Sequence, residues 1–259
     1  MATRNGEGAN LMQTTERSIT IIFSRVVYTL IAINILVFAA DSIFRGGLSN
    51  VLALHFPQNE NYVIWQYLSH MFMHGSLTHL LFNMFALLMF GTALENIFGK
   101  TRFIIFYFAC GIGAAVIYNV INSYQFNEIY SILSASGLNN TDIISMIQQS
   151  SYPPKVLSEE QAREILSLYH VPMVGASGAI YGILVAYAIY FPNKKLLFIF
   201  VPFPIAAKYF VPALIAVDLF SGVTGFSLFG GGVAHFAHVG GAIIGLLLMT
   251  IWRKEFLES

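Results

Sequence analysis

The sequence predicts an all-α, polytopic membrane protein. Of its 259 residues, 56% are hydrophobic and only 10% are charged, and the mean hydropathy is +0.68. Soluble domains usually carry about 25% charged residues. The apolar residues also gather in runs close to the roughly 20 that a helix needs to cross the hydrocarbon core of a bilayer. The composition and these runs together indicate that membrane-embedded helices form most of the chain.

Six apolar stretches define the predicted transmembrane helices. They run from about Ile19 to Ala40, Leu77 to Leu94, Phe103 to Ile121, Val171 to Phe191, Tyr209 to Phe220, and Val233 to Trp252. The first is too long for the apolar region of a signal peptide and follows a polar tail, so we expect a retained anchor. The fifth is short and lies among Pro202, Pro204 and Pro212, which predict a loop that dips into the membrane rather than one straight helix.

Three regions follow from these spans: a tail over 1–18, a membrane domain over 19–252 and a short tail over 253–259. The membrane domain contains a polar insertion, about 122–170, between the third and fourth helices. Ser158 to Gln161 reads as a capping box, and apolar residues follow it at helical spacing. We expect at least one amphipathic helix there, either a tolerated insertion or an element that contacts substrate.

The distribution of Lys and Arg predicts the orientation of the chain in the membrane. Ten of these residues fall in segments on one side of the spans, and three fall on the other: Arg45, Lys155 and Arg163. Both termini are therefore expected in the cytoplasm, and we expect a bacterial inner membrane. The formal net charge of zero gives no indication of a nucleic-acid partner. The single cysteine, Cys110, is expected to be a packing residue.

Polar side chains within the spans are the candidates for function, because a charge at the bilayer centre costs about 2.5–3.5 kcal/mol on insertion scales. They are His79, Asn83, Ser177, Asp218, His235 and His238. They cluster near the predicted outer ends of the helices. His79 and Asn83 share one helical face. Asp218 reads as a capping or interfacial residue, and the earlier His70 and His74 read as loop supports.

Small residues surround Ser177 and follow His238, which predicts that the fourth and sixth helices pack closely. Each helix carries two glycines four residues apart: Gly178 with Gly182, and Gly241 with Gly245. Docking of these two faces brings the serine beside the histidine, and such a pair needs about 2.6–3.2 Å between heavy atoms to act in nucleophilic catalysis.

Three motifs in this order resemble those of the rhomboid family of intramembrane serine proteases. They are His79 with Asn83, the stretch Gly175–Gly178, and the stretch Ala237–Gly241. The likeness extends from about Val26 to Ile251, with Glu95 and Gly99 resembling the end of the second family helix. It departs at Trp65-Gln66, where many relatives have Trp-Arg, and in the length of the insertion.

The resemblance implies a serine endopeptidase with a dyad and no third acid, without cofactor or metal. Ser177 attacks the peptide carbonyl, His238 moves the proton, and Tyr181 stacks on the His238 ring. His79, Asn83 and the Ser177 backbone N–H form the oxyanion hole. The supporting glycines are Gly175, Gly178 and Gly241. The expected substrates are single-span membrane proteins within the lipid bilayer, cleaved near the outer face. The glycine-rich stretch 221–232, with Phe226 and Phe229, would form a mobile cap.

Three other functions remain open on the sequence. A catalytically inactive rhomboid-like protein would bind transmembrane clients without cutting them, although such relatives lack the serine or the histidine. A membrane protein that binds haem or a metal would use the histidines His74, His79, His235 and His238. The absence of a His-Glu-x-x-His pattern disfavours a zinc protease. A transporter is disfavoured because no inverted repeat is evident.

Overall fold

The structure is a computed structural model that describes residues 26–198, 201–226 and 234–258. Its helices are α1 Val26–Ile43, α2 Ser49–Leu52, α3 Gln66–Ser69, a 3₁₀ turn His70–Phe72, α4 Leu77–Ala86, a π-helical turn Leu87–Gly91, α5 Thr92–Ala135, α6 Asn140–Gln148, α7 Glu159–His170, α8 Ser177–Tyr190, α9 Ala207–Thr224 and α10 His235–Glu258. The two strands are β1 Lys195–Phe198 and β2 Val201–Ala206. The predicted 1–18 tail, the first residues of the first span, and Phe229 with its neighbouring glycines lie outside the described residues.

Four helical stretches of the described chain are long and apolar enough to cross a bilayer: Val26–Ile43, Leu77–Ala135, Ala207–Thr224 and His235–Trp252. Helix α8 is equally apolar but shorter. The predicted second and third spans share one continuous stretch, which Gly99 interrupts with a φ of +73° and a ψ of 168°. The prediction of a mostly helical membrane protein is confirmed, and the count of six spans stays a prediction.

Glu95 ties this stretch to the start of α1. Its carboxylate is buried, and its two oxygens accept hydrogen bonds from the backbone N–H groups of Val26 and Val27 at 2.9 and 3.1 Å. The first N–H groups of a helix have no partner within the helix, and a carboxylate there also interacts favourably with the helix dipole. Glu95 thus holds the beginning of α1 against the end of the second predicted span.

The region of the predicted fifth span differs from the expectation. A two-stranded antiparallel sheet, β1 with β2, precedes it, and α9 then runs without interruption from Ala207 to Thr224. Pro202 and Pro204 lie in β2, and a two-stranded sheet consists only of edge strands, where proline is tolerated. Pro212 lies inside α9, as prolines in membrane helices often do because neighbouring groups can satisfy the freed carbonyl. The predicted dipping loop is therefore wrong for this part of the chain.

The segment between the third and fourth predicted spans forms a small helical layer with its own core. Helix α5 does not end near Ile121 but continues to Ala135, and α6 and α7 fold back against it. The capping box at Ser158 and Gln161 starts α7 as predicted. The buried apolar residues of this layer are Phe56, Phe126, Ile129, Leu133, Ile143, Ile147, Leu157, Ala162, Ile165 and Tyr169.

This layer contacts the loop before α4, and that loop in turn pairs with the strand-like segment that leads into α8. Phe56 packs its ring 4.7 Å from that of Phe126, between ring centroids. Leu54 and Met173 exchange two backbone hydrogen bonds of 3.0 and 2.8 Å. Because Met173 lies four residues before Ser177, these contacts fix the approach of the chain to the candidate site.

Helix α8 lies at the centre of the membrane part, with every residue from Gly178 to Tyr187 buried. It packs against α5 and α10 through its glycines. A Cβ on Gly245 would lie 2.6 Å from the Gly182 Cα, and one on Gly241 would overlap the carbonyl oxygen of Gly178. The absence of side chains at these positions lets the two backbones approach. The predicted contact between the two glycine faces is therefore present.

Candidate active site

Ser177 is the first residue of α8, so its backbone N–H lies among those that have no carbonyl partner within the helix. The chain enters the helix through Gly175, whose φ of +117° favours glycine. The Gly175 N–H donates to the His70 carbonyl at 2.9 Å. A Cβ on Gly175 would lie 2.8 Å from the His79 ring. Glycine is required here for its backbone conformation and for the close approach of that ring.

His238 lies in the first turn of α10 and contacts Ser177. Its Nε2 is 2.8 Å from the Ser177 Oγ. The Tyr181 ring, one turn along α8, stacks on the imidazole with ring centroids 4.3 Å apart and planes 10° apart. The contact requires the close helix packing described above. This distance and ring arrangement are those that a serine nucleophile and its general base need.

The prediction that Asp218 caps a helix is wrong. It lies six residues before the end of α9, so it caps neither terminus, and it is buried. Its Oδ1 is 3.1 Å from His238 Nδ1 and 2.6 Å from His235 Nδ1. Its other oxygen accepts a hydrogen bond from the Tyr181 hydroxyl. The acid therefore contacts both residues of the stacked pair, which a capping role does not explain.

His79 and Asn83 lie on one face of α4, beside the segment that precedes Ser177. A Cβ on Gly175 would be 2.8 Å from His79 Nε2 and 3.7 Å from Asn83 Nδ2. The Asn83 Nδ2 is buried and has no hydrogen-bond partner among the described residues. Ser76 caps the helix by accepting from the His79 N–H at 3.1 Å. An unpaired amide donor is suited to bind a developing negative charge, which is the role that the resemblance implies for Asn83.

The two earlier histidines lie beneath this face. His70 Nδ1 donates to the Gln66 carbonyl at 2.9 Å, as expected of a hydrogen-bonded loop support. The His74 ring packs edge-on against His79, with centroids 5.0 Å apart. Burial, and to a smaller extent the nearby His79, lowers the pKa of His74 to about 4. The His74 ring is therefore neutral at physiological pH. Both ring nitrogens of His74 are buried without a partner among the described residues.

Gln66, which stands where many relatives have arginine, is fully buried. Its Oε1 accepts from the N–H groups of His55 and Val63 at 3.2 and 3.1 Å, and its Nε2 donates to the Asn61 carbonyl at 2.8 Å. A neutral amide that both donates and accepts can satisfy this loop internally, whereas arginine can only donate. At the position where the sequence departs from the family pattern, Gln66 therefore anchors the loop from a fully buried site.

One group of His, Cys, Asp and Glu side chains in the described part of the chain is close enough to share a metal ion. It consists of Asp218, His235 and His238, with ligand atoms within 4.8 Å of one another. His74 and His79, which the metal hypothesis also included, do not belong to it. Two imidazoles and one carboxylate are a ligand set that zinc accepts, but both Nδ1 atoms already contact the carboxylate.

Comparisons with known proteins show the family of the chain. The family model described as the rhomboid domain matches residues 61–255. The rhomboid protease AarA of Providencia stuartii is 31% identical over 198 residues, which cover 71% of this chain and 54% of that protein. The human mitochondrial presenilin-associated rhomboid-like protein is 28% identical over 239 residues, covering 89% and 50%.

A shorter match joins the chain to the rhomboid protease GluP of Bacillus subtilis, at 33% identity over 102 residues, which cover 38% of this chain and 20% of that protein. The chain spans about half the length of the first two relatives. The family model covers well over half of the chain, and the residues it matches include all three motifs. By this match and the helical membrane fold, the chain belongs to the rhomboid family of intramembrane proteases.

Proposed function

We propose that this protein is an intramembrane serine endopeptidase that cleaves transmembrane substrates near the outer membrane face by a Ser177–His238 dyad. The observation that carries the proposal is the 2.8 Å contact between Ser177 Oγ and His238 Nε2 at the start of two closely packed helices. Membership of a family whose matched bacterial relatives are named as proteases supports it.

In this mechanism, His238 Nε2 accepts the proton of the Ser177 hydroxyl while Oγ attacks the peptide carbonyl. The charge on the carbonyl oxygen is stabilised by His79, Asn83 and the Ser177 N–H. His238 then protonates the leaving amine, and the acyl-enzyme forms. A water molecule, deprotonated by the same ring, hydrolyses the ester and restores the serine.

The same proposal includes six membrane spans, because Gly99 divides the long stretch and α8, although short, lies among the spanning helices. It places the membrane domain at 19–252, both termini in the cytoplasm and the 122–170 layer outside. It assigns a bacterial inner membrane as the location and single-span membrane proteins as substrates. The distribution of Lys and Arg supports this orientation.

The test uses the full chain in proteoliposomes with a panel of single-span reporters. Wild type is expected to cut at least one reporter and to react with a fluorophosphonate at Ser177. Ser177→Ala should do neither while keeping its unfolding temperature, because losing one oxygen changes packing little. His238→Ala should be as inactive, and the double variant no worse, since residues that act as one unit give non-additive losses.

Each outcome of this test has a definite meaning. A Ser177→Ala variant that cuts at the wild-type rate would overturn the assignment of the nucleophile. A wild-type protein that binds reporters without cutting any of them would favour the client-binding alternative. The cluster of Asp218, His235 and His238 is the observation that favours a metal protein. Stoichiometric metal or haem in the purified protein, without fluorophosphonate labelling, would support that alternative.

A further inference from the structure

We infer that Asp218 is a positioning residue for His238: it holds the proton on Nδ1 and leaves Nε2 free to receive the proton of Ser177. The inference rests on the proposed function and changes it, because the dyad then depends on a third, acidic residue. Asp218 does not touch Ser177 or the reacting atoms, so it acts only through the imidazole.

The contact with Asp218 determines the tautomer of His238. A neutral imidazole carries one proton, and only the other nitrogen can accept one. An ionised carboxylate can only accept hydrogen bonds, so the 3.1 Å contact between Asp218 Oδ1 and His238 Nδ1 requires the proton on Nδ1. Nε2 then presents its lone pair toward Ser177 Oγ, 2.8 Å away. The opposite tautomer would place an N–H against the hydroxyl and could not remove its proton.

Asp218 also fixes the orientation of the His238 ring. The carboxylate contacts His238 at the ring edge, and its other oxygen accepts from the hydroxyl of Tyr181, whose ring covers the imidazole face. Asp218 thus holds both the imidazole and the Tyr181 ring that covers it. It also lies where positive charge forms once His238 takes the serine proton, and a buried carboxylate stabilises an imidazolium there.

Several neighbouring donors allow the acid to remain charged in this buried position. A carboxylate away from water needs several donors to replace its hydration. Asp218 has three neighbours that can donate, from three separate sequence positions: Tyr181, His235 and His238. The 2.6 Å contact with His235 therefore supplies a donor that supports the charge, in addition to the contact that orients the base.

Asp218→Asn is the direct test, because it keeps the shape and removes the charge. An amide can donate to Nδ1 and so favour the wrong tautomer; in a soluble serine protease the equivalent change lowers kcat roughly 10⁴-fold. We expect kcat to fall roughly 100- to 10,000-fold, with KM within about threefold. Labelling of Ser177 by a fluorophosphonate should slow in parallel. Nitrogen-15 NMR of histidine-labelled protein should show the neutral His238 ring changing from Nδ1–H to Nε2–H.

Ser221→Ala is the matched control. Ser221 lies one turn beyond Asp218 on the same buried side of α9, and its hydroxyl has no hydrogen-bond partner among the described residues. This variant should leave kcat, labelling and the His238 tautomer unchanged. His235→Gln tests whether Asp218 acts on His238 only through its contact with His235. The His238 ring should keep its Nδ1–H signal in that variant.

A normal kcat in Asp218→Asn would overturn the inference, as would lost activity with an unchanged Nδ1–H signal, which would mean a structural role alone. Loss of the His238 Nδ1–H signal in His235→Gln would also contradict it. Failure of the proposed function looks different: wild type would cut no reporter and Ser177 would not be labelled. The tautomer of His238 can still be read in that case, because the NMR measurement needs no substrate.

Discussion

Asn83 has a buried amide donor without a partner among the described residues. Two other buried asparagines have amide nitrogens with a hydrogen-bond partner. Asn34 Nδ2 donates to the Leu30 carbonyl at 2.8 Å, and Asn119 Nδ2 donates to the Tyr67 hydroxyl at 2.9 Å. An unpaired buried donor destabilises the resting protein by about 1–3 kcal/mol. Such a donor is consistent with a site that is completed only when the substrate oxygen becomes negative.

Asn83→Ala is therefore expected to lower kcat by roughly 10- to 1000-fold without abolishing cleavage, because one oxyanion donor is lost and others remain. Its unfolding temperature should not fall, since no hydrogen bond is broken. His79→Ala should lower kcat further, because the ring also packs against Gly175 and His74. Reporter kinetics and thermal unfolding in detergent measure both effects.

Asn119→Ala is the control for this prediction. It removes a buried amide that is already paired, so it should lower stability and leave kcat close to wild type. Unchanged kcat in both Asn83→Ala and His79→Ala would remove these residues from the oxyanion hole.

At the scale of elements, the contact between α8 and α10 determines whether the serine and histidine meet. No side chain fits between Gly241 and the Gly178 carbonyl, and Gly178 itself has the Ala114 methyl group at 2.6 Å from where its Cβ would be. The helices are close because both carry glycine at the crossing. Separation of their backbones would lengthen the contact between Ser177 and His238, since each lies in the first turn of its helix.

We expect Gly241→Val to lower both the unfolding temperature and the cleavage rate, because the added side chain pushes α10 away from α8. Thermal unfolding in detergent and reporter cleavage check this. Leu246→Val on the exposed side of α10 is the control and should change neither. A Gly241→Val variant with wild-type stability and activity would show that the helices do not cross at this residue.

A second prediction at this scale concerns α1. Glu95→Gln should lower the free energy of unfolding by about 1–3 kcal/mol, because the charge-assisted hydrogen bonds to the first N–H groups of α1 are lost. Glu128→Gln, on the exposed side of the same α5, should have little effect. Denaturant titration of the two variants distinguishes them, and equal stabilities would mean that Glu95 does not anchor α1.

At the scale of the whole molecule, the layer formed by α6, α7 and the end of α5 packs on the loop before α4, and that loop pairs with the segment that enters α8. Ser177 begins α8, seven residues after the end of α7, and His238 lies in the first turn of α10. In the proposed orientation, the starts of both helices face outward. The scissile bond should therefore lie at or just inside the outer end of a substrate helix.

An intact helix keeps its carbonyl groups in hydrogen bonds, so attack requires local unwinding of the substrate. Small residues line the site, which favours a small side chain before the cut and Gly or Pro after it. Replacing those residues with Leu in a cleaved reporter should slow cleavage, whereas Leu placed a few turns deeper should not. Mass spectrometry of the products locates the bond; a cut far out in a soluble domain, indifferent to these changes, would contradict the prediction.

Several features could be predicted from the sequence because they depend on local patterns. Apolar runs of bilayer length indicate membrane helices, and the capping box at Ser158 gives the start of α7. Glycine pairs on two helices, one after Ser177 and one after His238, predict a close crossing, and the structure has the two side chains 2.8 Å apart. The roles of these residues in catalysis stay predictions until the variants are measured.

Other features depended on the tertiary structure. No local pattern reveals whether Pro212 interrupts a helix or lies within one, because neighbouring groups decide whether the freed carbonyl is satisfied. The end of α5 at Ala135 likewise depends on packing against α6 and α7. Asp218 is 20 residues from His238 and 37 from Tyr181 in the chain. Its partners come from two other helices, α8 and α10. Only the packing of these helices against α9 shows that this acid lies beside His238, whereas the sequence by itself determines the membrane helices and the glycine faces that bring Ser177 to His238.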